Sequence, residues 1–350
     1  MVKRNKNDFS HRRRDLEKIY VFLKLLADAK IQAADKDGIP SPNFLCKVLR
    51  VKHGEVEAVM GGDITFKNVQ KSVTLPRIII KDNAEYLYHI IRNSGTQDYA
   101  LRIPKIEQFL KDIGYTMLTG VSKRNMDIQI NGMNFNIKSE VGCVPVLLNA
   151  SKSTNLIFEL KGLSSNDIRA INSITGSRKI IQRCEYIKKQ ASKIEFIGFV
   201  NDTFRRNLQG IDNGLPKIIA ECIYAHYFEN CVTSEDAVTY LKKSNPHCFL
   251  SDDLNFYETK YKRFLHSVAL GMKPAIIWDD KDEATGGYII AKPNGELVAF
   301  FIYDRSLFDD YLYAFTFFER ASTTRHDFMQ AYEMDKKVFI NLNLQIRFKS

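Results

Sequence analysis

No stretch of the chain approaches the roughly 18 consecutive apolar residues that span a bilayer, so no membrane insertion is expected. The opening segment MVKRNKNDFSHRRRDLEK is basic but has no apolar run behind it, and a secretory signal is therefore not expected either. Among the six cysteines, Cys46, Cys143, Cys184, Cys222, Cys231 and Cys248, there is no CxxC pair and no Cys and His set at zinc-finger spacing. Reduced thiols in a cytoplasmic protein are the expectation. Internal repeats and low-complexity linkers are missing too, so no domain boundary announces itself. Acidic residues are in short supply: 41 Asp and Glu face 51 Lys and Arg, a formal charge of +10. Such an excess favours polyanionic partners, nucleic acid first among them, although many basic proteins bind none.

What is present is an ordinary globular balance, 45% hydrophobic and 26% charged over 350 residues. That suits one large domain or two intimately joined ones. Asp15 to Ala29 sets Ile19, Phe22, Leu23 and Leu26 on one helical face; Arg12, Arg13 and Arg14 before it read as a solvated charge run. A helix-like stretch from Phe44 leads to a GGD turn at Gly61 to Asp63. Arg77 to Ile80 reads as a strand, Tyr86 to Ile91 as a helix, and Pro104 opens a helix ended by Gly114. Asn155 to Leu160 and Ala191 to Val200 are strand candidates, Ser164 to Asp167 a helix cap, and Pro216 to Asn230 a buried helix. Gly286 to Ile290 and Leu297 to Tyr303 read as strands joined by PNG at Pro293 to Gly295, and Val338 to Phe348 as extended. Strands, hairpins and helices in this mixture make an α/β fold.

The informative segment is a hairpin: Met126 to Ile130 alternates, Asn131 and Gly132 form a strong two-residue turn signal, and Asn134 to Ser139 continues extended. Alternation turns Ile128, Ile130 and Ile137 inward and sets Asp127, Gln129, Asn136 and Lys138 on the opposite face. A carboxylate there can hold a hard divalent cation, and a lysine beside it can orient a water and neutralise phosphate. Taken alone the spacing is weak, because polar residues on the open face of a hairpin are routine.

Longer segments carry more. IYVFLKLLADAK at Ile19 to Lys30, FNIKSEVG followed by LLNASKSTNLIFEL between Phe135 and Leu160, and GGYII at Gly286 to Ile290 resemble, in order, the HpaII family of type II restriction endonucleases. So do IYDRSLFDDYL at Ile302 to Leu312, STTRHDF at Ser322 to Phe328 and LNLQIRF at Leu342 to Phe348. The resemblance implies a PD-(D/E)XK nuclease core, a mixed central sheet flanked by helices. On that basis residues 1–100 are expected to form a mostly helical region, 101–235 the nuclease core, and 236–350 a β-rich part that completes the fold and reads DNA. It further implies Mg²⁺-dependent double-strand cleavage at a short palindrome, CCGG being the family's best-known target. A homodimer and a companion methyltransferase guarding the same site are the implied partners.

Carried onto this chain, Asp127 matches the first metal-binding acid and Lys138 the lysine of the motif. Asn136 stands where that motif has Asp or Glu, so a second acid is wanted, and Glu140, Glu159 and Glu107 are candidates. Glu159 is preferred, since an acid inside the apolar LIFEL is expensive to bury without a cation; pairing with Lys161 is the alternative. For DNA contact the candidates are Asn149, Ser151, Lys152, Thr154 and Asn155 in one polar loop, and Arg325, His326 and Asp327 in another. A structure-specific nuclease and a non-catalytic DNA-binding protein remain the competing readings. His226 with Glu229 reads as core histidine rather than ligand, and the Arg178 to Lys193 helix as either phosphate-facing or simply solvated.

Overall fold

The computed structural model describes residues 11–94, 100–101, 103–115, 126–142, 144–246, 255–321 and 328–349. They form two compact units, each assembled from separated stretches of chain: the described residues of Met1–Pro145 with Asp282–Tyr311, and those of Val146–Lys281 with Leu312–Lys349. Both units mix helices and strands. Among the described residues no helix is long and apolar enough to cross a membrane, and Cys46, Cys184, Cys222 and Cys231 are unbridged.

The first unit is built on a ten-stranded mixed sheet. Its strands run, side by side, Pro40–Lys47, Lys30–Ala34, Leu297–Phe301, Gly287–Ala291, Met133–Ser139, Ile128–Ile130, Arg50–His53, Val56–Met60, Ile64–Lys67 and Ser72–Leu75. Neighbours are antiparallel except at two seams, where Met133–Ser139 pairs in parallel with Gly287–Ala291 and Leu297–Phe301 with Lys30–Ala34. Gly287–Ala291 and Leu297–Phe301 are buried at every residue, as strands inside a covered sheet must be. Helix α1, Arg13–Asp28, packs against this sheet and against helix α2, Arg77–Asn93. The expected stripe of Ile19, Phe22, Leu23 and Leu26 is buried, and so are Leu16, Val21 and Leu25, because α1 has neighbours on more than one side. Each such side chain stabilises the fold by about 1.5–3 kcal/mol.

Two stretches differ from what their composition suggests. Residues 30–75 form six strands rather than part of a mostly helical region; Val51, Val56, Ala58, Ile64 and Phe66 are buried at two-residue spacing within short strands, a period masked by intervening apolar residues such as Val59. Arg77 to Ile80 is not a strand but the first turn of α2, whose buried stripe runs Ile80, Ala84, Leu87, Ile91. Helical spacing over the whole segment outweighs the local preference of three isoleucines for extended backbone.

The second unit carries an antiparallel sheet ordered Lys193–Phe199, Asn155–Lys161, Lys337–Asn343, Ala331–Met334, and a three-stranded one of Val146–Leu148, Ile346–Phe348 and Thr316–Phe318. The helix Leu215–Phe228, buried along most of its length, lies at its centre. Asn155–Lys161, the second strand after the hairpin, thus belongs to a different sheet from the hairpin. The hairpin is flanked instead by the distant Gly287–Ala291 on one side and Arg50–His53 on the other. Ser164 caps the helix Ser165–Ser173, its N–H donating to Asp167 Oδ2 at 2.8 Å.

Close approach between Gly287–Ala291 and its antiparallel neighbour Leu297–Phe301 depends on glycine. Gly287 sits at φ +126°, and a Cβ there would lie 1.9 Å from the Phe300 carbonyl oxygen. We expect Gly287→Ala to lose about 3 kcal/mol or more of stability, since neither backbone nor neighbour can give way; urea unfolding of the variant checks this, and a loss within about 0.5 kcal/mol would contradict it.

Candidate active site

The hairpin forms as its turn residues dictate. Asn131 and Gly132 lie at φ +50° and +90°, the left-handed pair a two-residue turn requires, and the strands register as Met133 with Ile130, Asn134 with Gln129 and Phe135 with Ile128. Ile128, Ile130, Phe135 and Ile137 are buried. On the other face Gln129 Nε2 donates to Asn134 Oδ1 at 3.0 Å, and continuing the register sets Asp127 across from Asn136.

Asp127 sits just before its strand, where the ladder stops. Its N–H still donates to the Phe135 carbonyl at 3.0 Å, and its Oδ2 accepts the Ile137 N–H at 2.8 Å. A side-chain oxygen thereby replaces the missing backbone acceptor and fixes the carboxylate in place. The other oxygen, Oδ1, is held by an ammonium: Lys18 Nζ stands 2.6 Å away. Lys18 comes from α1, whose start is anchored by the buried Arg13, donating from Nη2 to the Ile91 carbonyl at 3.0 Å.

Lys138 lies on the same face of its strand as Asn136. Burial pushes its pKa down from 10.5 to about 8, opposed by Asp127 and reinforced by the positive charges of Arg14 and Lys18. His53, desolvated and close to Lys18, is lowered to about 4, with Asp127 opposing; it is a neutral ring whose Nδ1 lies 2.8 Å from the Tyr115 hydroxyl. Glu140 follows Lys138 by two residues; burial raises its pKa, against the pull of Lys292 at 3.8 Å. Asp127 and Glu140 both act on the buried hydroxyl of Tyr288, which stands beside Asn136 on the paired strand. One fixed carboxylate, an amide, a second acid and several ammonium or guanidinium groups therefore share one region of the sheet.

Among the described residues no three acidic, histidine or cysteine side chains gather into a metal-binding cluster. A magnesium ion needs less than that: it keeps several waters and is commonly held by one or two carboxylates. Asp127 fits this demand, since a cation, the Lys18 ammonium, already stands on its Oδ1, and the Asn136 amide is of the same hard-oxygen class.

Glu159 lies in the second unit, on Asn155–Lys161, buried and paired with Lys337 at 3.6 Å. Its burial is thus balanced by an ammonium, and the argument that an acid there wants a metal loses its force. Lys161 instead pairs with Glu195. Glu107 accepts the Ile103 N–H at 3.0 Å as part of its helix start.

The polar loop of the second unit is tightly tied. Asn343 Nδ2 donates to the Ser151 carbonyl (2.8 Å), Thr154 Oγ1 (3.1 Å) and Asn155 Oδ1 (2.6 Å), and Thr154 and Asn155 are buried while Asn149 and Lys152 are exposed. Arg325, His326 and Asp327 lie outside the described residues. His226 is buried against the Cys231 carbonyl at 2.8 Å and Glu229 pairs with Lys188, which makes both structural. On the basic helix Lys179–Gln190, Arg183 is buried and donates to the carbonyls of Asn172, Ile174 and Met329. Lys18 went unnoticed in the sequence and Arg14 was read only as part of a solvated charge run; their four-residue spacing was visible, but nothing local says that α1 docks beside the hairpin.

A fixed acid and a lysine on one face of a mixed sheet, in a basic chain, suit the class of phosphodiester-cleaving nucleases. The model of the HpaII restriction endonuclease family matches residues 13–348, and the chain belongs to that family. It is 36% identical over 361 aligned positions to the type II restriction enzyme HpaII of Haemophilus parainfluenzae, covering 97% of this chain and 99% of that protein. No solved structure matches the chain. Its activity is that of a type II site-specific deoxyribonuclease.

Burial of Lys138 carries a stability signature. A lysine whose folded pKa is depressed penalises the fold below about pH 8, and the penalty fades as pH rises toward 10.5. Lys138→Met should therefore stabilise the protein at pH 7, by about 1–2 kcal/mol after allowing for partial solvation, and by much less at pH 10. Paired urea titrations at the two pH values check it; a variant less stable at pH 7 contradicts it.

Proposed function

We propose that this chain hydrolyses both strands of DNA at a short palindrome, CCGG, in a Mg²⁺-dependent reaction centred on Asp127 and Lys138. The observation that carries this is the Asp127 carboxylate, pinned by the Ile137 N–H with a cation on its free oxygen and Lys138 on the adjoining strand. Membership of the HpaII family supports the choice of target. We read the sheet around Met133–Ser139 as the PD-(D/E)XK core.

Asp127 and Asn136 are the oxygen donors for the metal. Bound there, magnesium supplies Lewis acidity to the attacking water and to the phosphoryl oxygens. Lys138 orients the water and, with its lowered pKa, can take up and release a proton near neutrality. Attack in line on phosphorus needs no covalent enzyme intermediate, and the clustered cations offset the charge that builds on the phosphoryl oxygens. For the supplementary carboxylate we put forward Glu140 in place of Glu159, whose charge Lys337 already balances.

On the second unit Asn149, Ser151 and Lys152 present polar groups from a loop that Thr154 and Asn155 brace, and Arg325, His326 and Asp327 supply base-edge donors and acceptors. Because a palindrome has twofold symmetry, a homodimer is the natural assembly, and a methyltransferase acting on the same site its functional companion.

Plasmid digestion with Mg²⁺ followed by sequencing of the ends tests the target: cuts confined to CCGG are expected, while ends scattered through the plasmid, or cuts at junctions only, overturn it. Asp127→Ala and Lys138→Ala should each lower single-turnover cleavage by about 10³-fold or more with DNA binding retained. Glu140→Gln should fall by about 10²-fold and Glu159→Gln by less than tenfold; the reverse order restores Glu159 as the metal acid.

A further inference from the structure

We propose that Lys18 is a positioning residue of the cleavage site: its ammonium holds Asp127 while no metal is bound, and turns to a phosphate of the duplex once a divalent cation takes that oxygen. The inference rests on Asp127 being a metal-binding acid, as set out above. It starts from how the two carboxylate oxygens are used. Oδ2 accepts the Ile137 N–H at 2.8 Å, so Oδ1 is the oxygen on the open side, and Lys18 Nζ stands on it at 2.6 Å. A divalent cation approaching from that side meets the ammonium first. The two compete for one ligand, because like charges cannot share it at close range without severe repulsion.

Lys18 is built to yield. Its backbone lies in α1 between the buried Glu17 and Ile19 and cannot retreat, but its four-carbon stem is flexible and the side chain retains 35% exposure, which gives the ammonium a path outward. The surroundings give it somewhere to go. Arg14, exposed one turn earlier on the same helix face, and Lys138 on the hairpin lie within electrostatic reach of one another and of Lys18. When Asp127 is engaged by a metal, positive charge at this cluster exceeds negative, and the anion a nuclease supplies is the phosphodiester. A lysine there adds one phosphate contact to the site without a base preference.

A pair that merely staples α1 to the hairpin would behave differently, and the difference is measurable without cleavage. Mn²⁺ titrations of the DNA-free protein followed by electron paramagnetic resonance should show Lys18→Met and Lys18→Gln binding about three- to tenfold tighter than wild type, the effect of removing one charge-assisted competitor. Lys18→Arg should stay within about twofold of wild type, and so should Lys24→Met, which removes the Asp28 ion pair on the same helix. With Ca²⁺ in place of Mg²⁺, fluorescence anisotropy on a CCGG duplex should show Lys18→Met binding about fivefold weaker, with a salt slope smaller by roughly one.

Unchanged or weaker Mn²⁺ binding in both Lys18→Met and Lys18→Gln, with both folded by circular dichroism, overturns the proposal, as does an unaltered duplex affinity in Ca²⁺. Should Lys18→Met fail to fold, Lys18→Gln decides alone. Asp127→Asn separates the two levels of inference: loss of Mn²⁺ binding there with no gain in the Lys18 variants sinks Lys18 only, whereas wild-type Mn²⁺ binding by Asp127→Asn sinks the metal-binding role of Asp127 itself.

Discussion

Everything in the first unit hangs on one parallel pairing, that of Met133–Ser139 with Gly287–Ala291. It places a fully buried strand beside the hairpin, closes the sheet on that side, and brings in Tyr288 opposite Asn136 and Lys292 near Glu140. Parallel pairs cannot be joined by a tight turn, and here the intervening chain includes Val146–Lys281, the larger part of the second unit. The seam leaves little room: the ring of Phe135 lies against Gly286, where a Cβ would come within 2.4 Å of it.

Charge is distributed on the same plan. The polar face of the hairpin holds one carboxylate locked by a backbone N–H, and beside it burial first, then the charges of Arg14 and Lys18, depress Lys138 against the pull of Asp127. A site of this kind is unhappy by itself. The desolvation of Lys138 and the crowding of like charges are tolerated because burial elsewhere in the sheet and in α1 supplies the stability, a common exchange at sites that must bind an anion tightly.

How much of this was legible depended on how local the information was. The hairpin could be read because Asn131 and Gly132 and the alternation of Ile128, Ile130 and Ile137 are short-range signals; its geometry put Asp127 and Lys138 on one face, and the family resemblance singled them out. The parallel seam with Gly287–Ala291 could not be read, since nothing near residue 135 names residue 287. The three isoleucines before Lys81 suggested extended backbone, yet the spacing of Ile80, Ala84, Leu87 and Ile91 decided for helix. Glu159 was chosen on burial alone; its counter-ion, Lys337, arrives from a strand far along the chain. Lys18 shows the same limit from the other side, a residue ordinary in its own helix and significant only where that helix docks.

The order in which the ribosome makes these pieces matters in the cell. Lys18, Asp127 and Lys138 emerge early, but the strand beside the hairpin is translated only after the whole of Val146–Lys281. Until then Met133–Ser139 has one side without a neighbour, and the polar face of the hairpin lacks that support. A nascent or prematurely terminated chain therefore has the residues proposed for catalysis but not the strand that supports them.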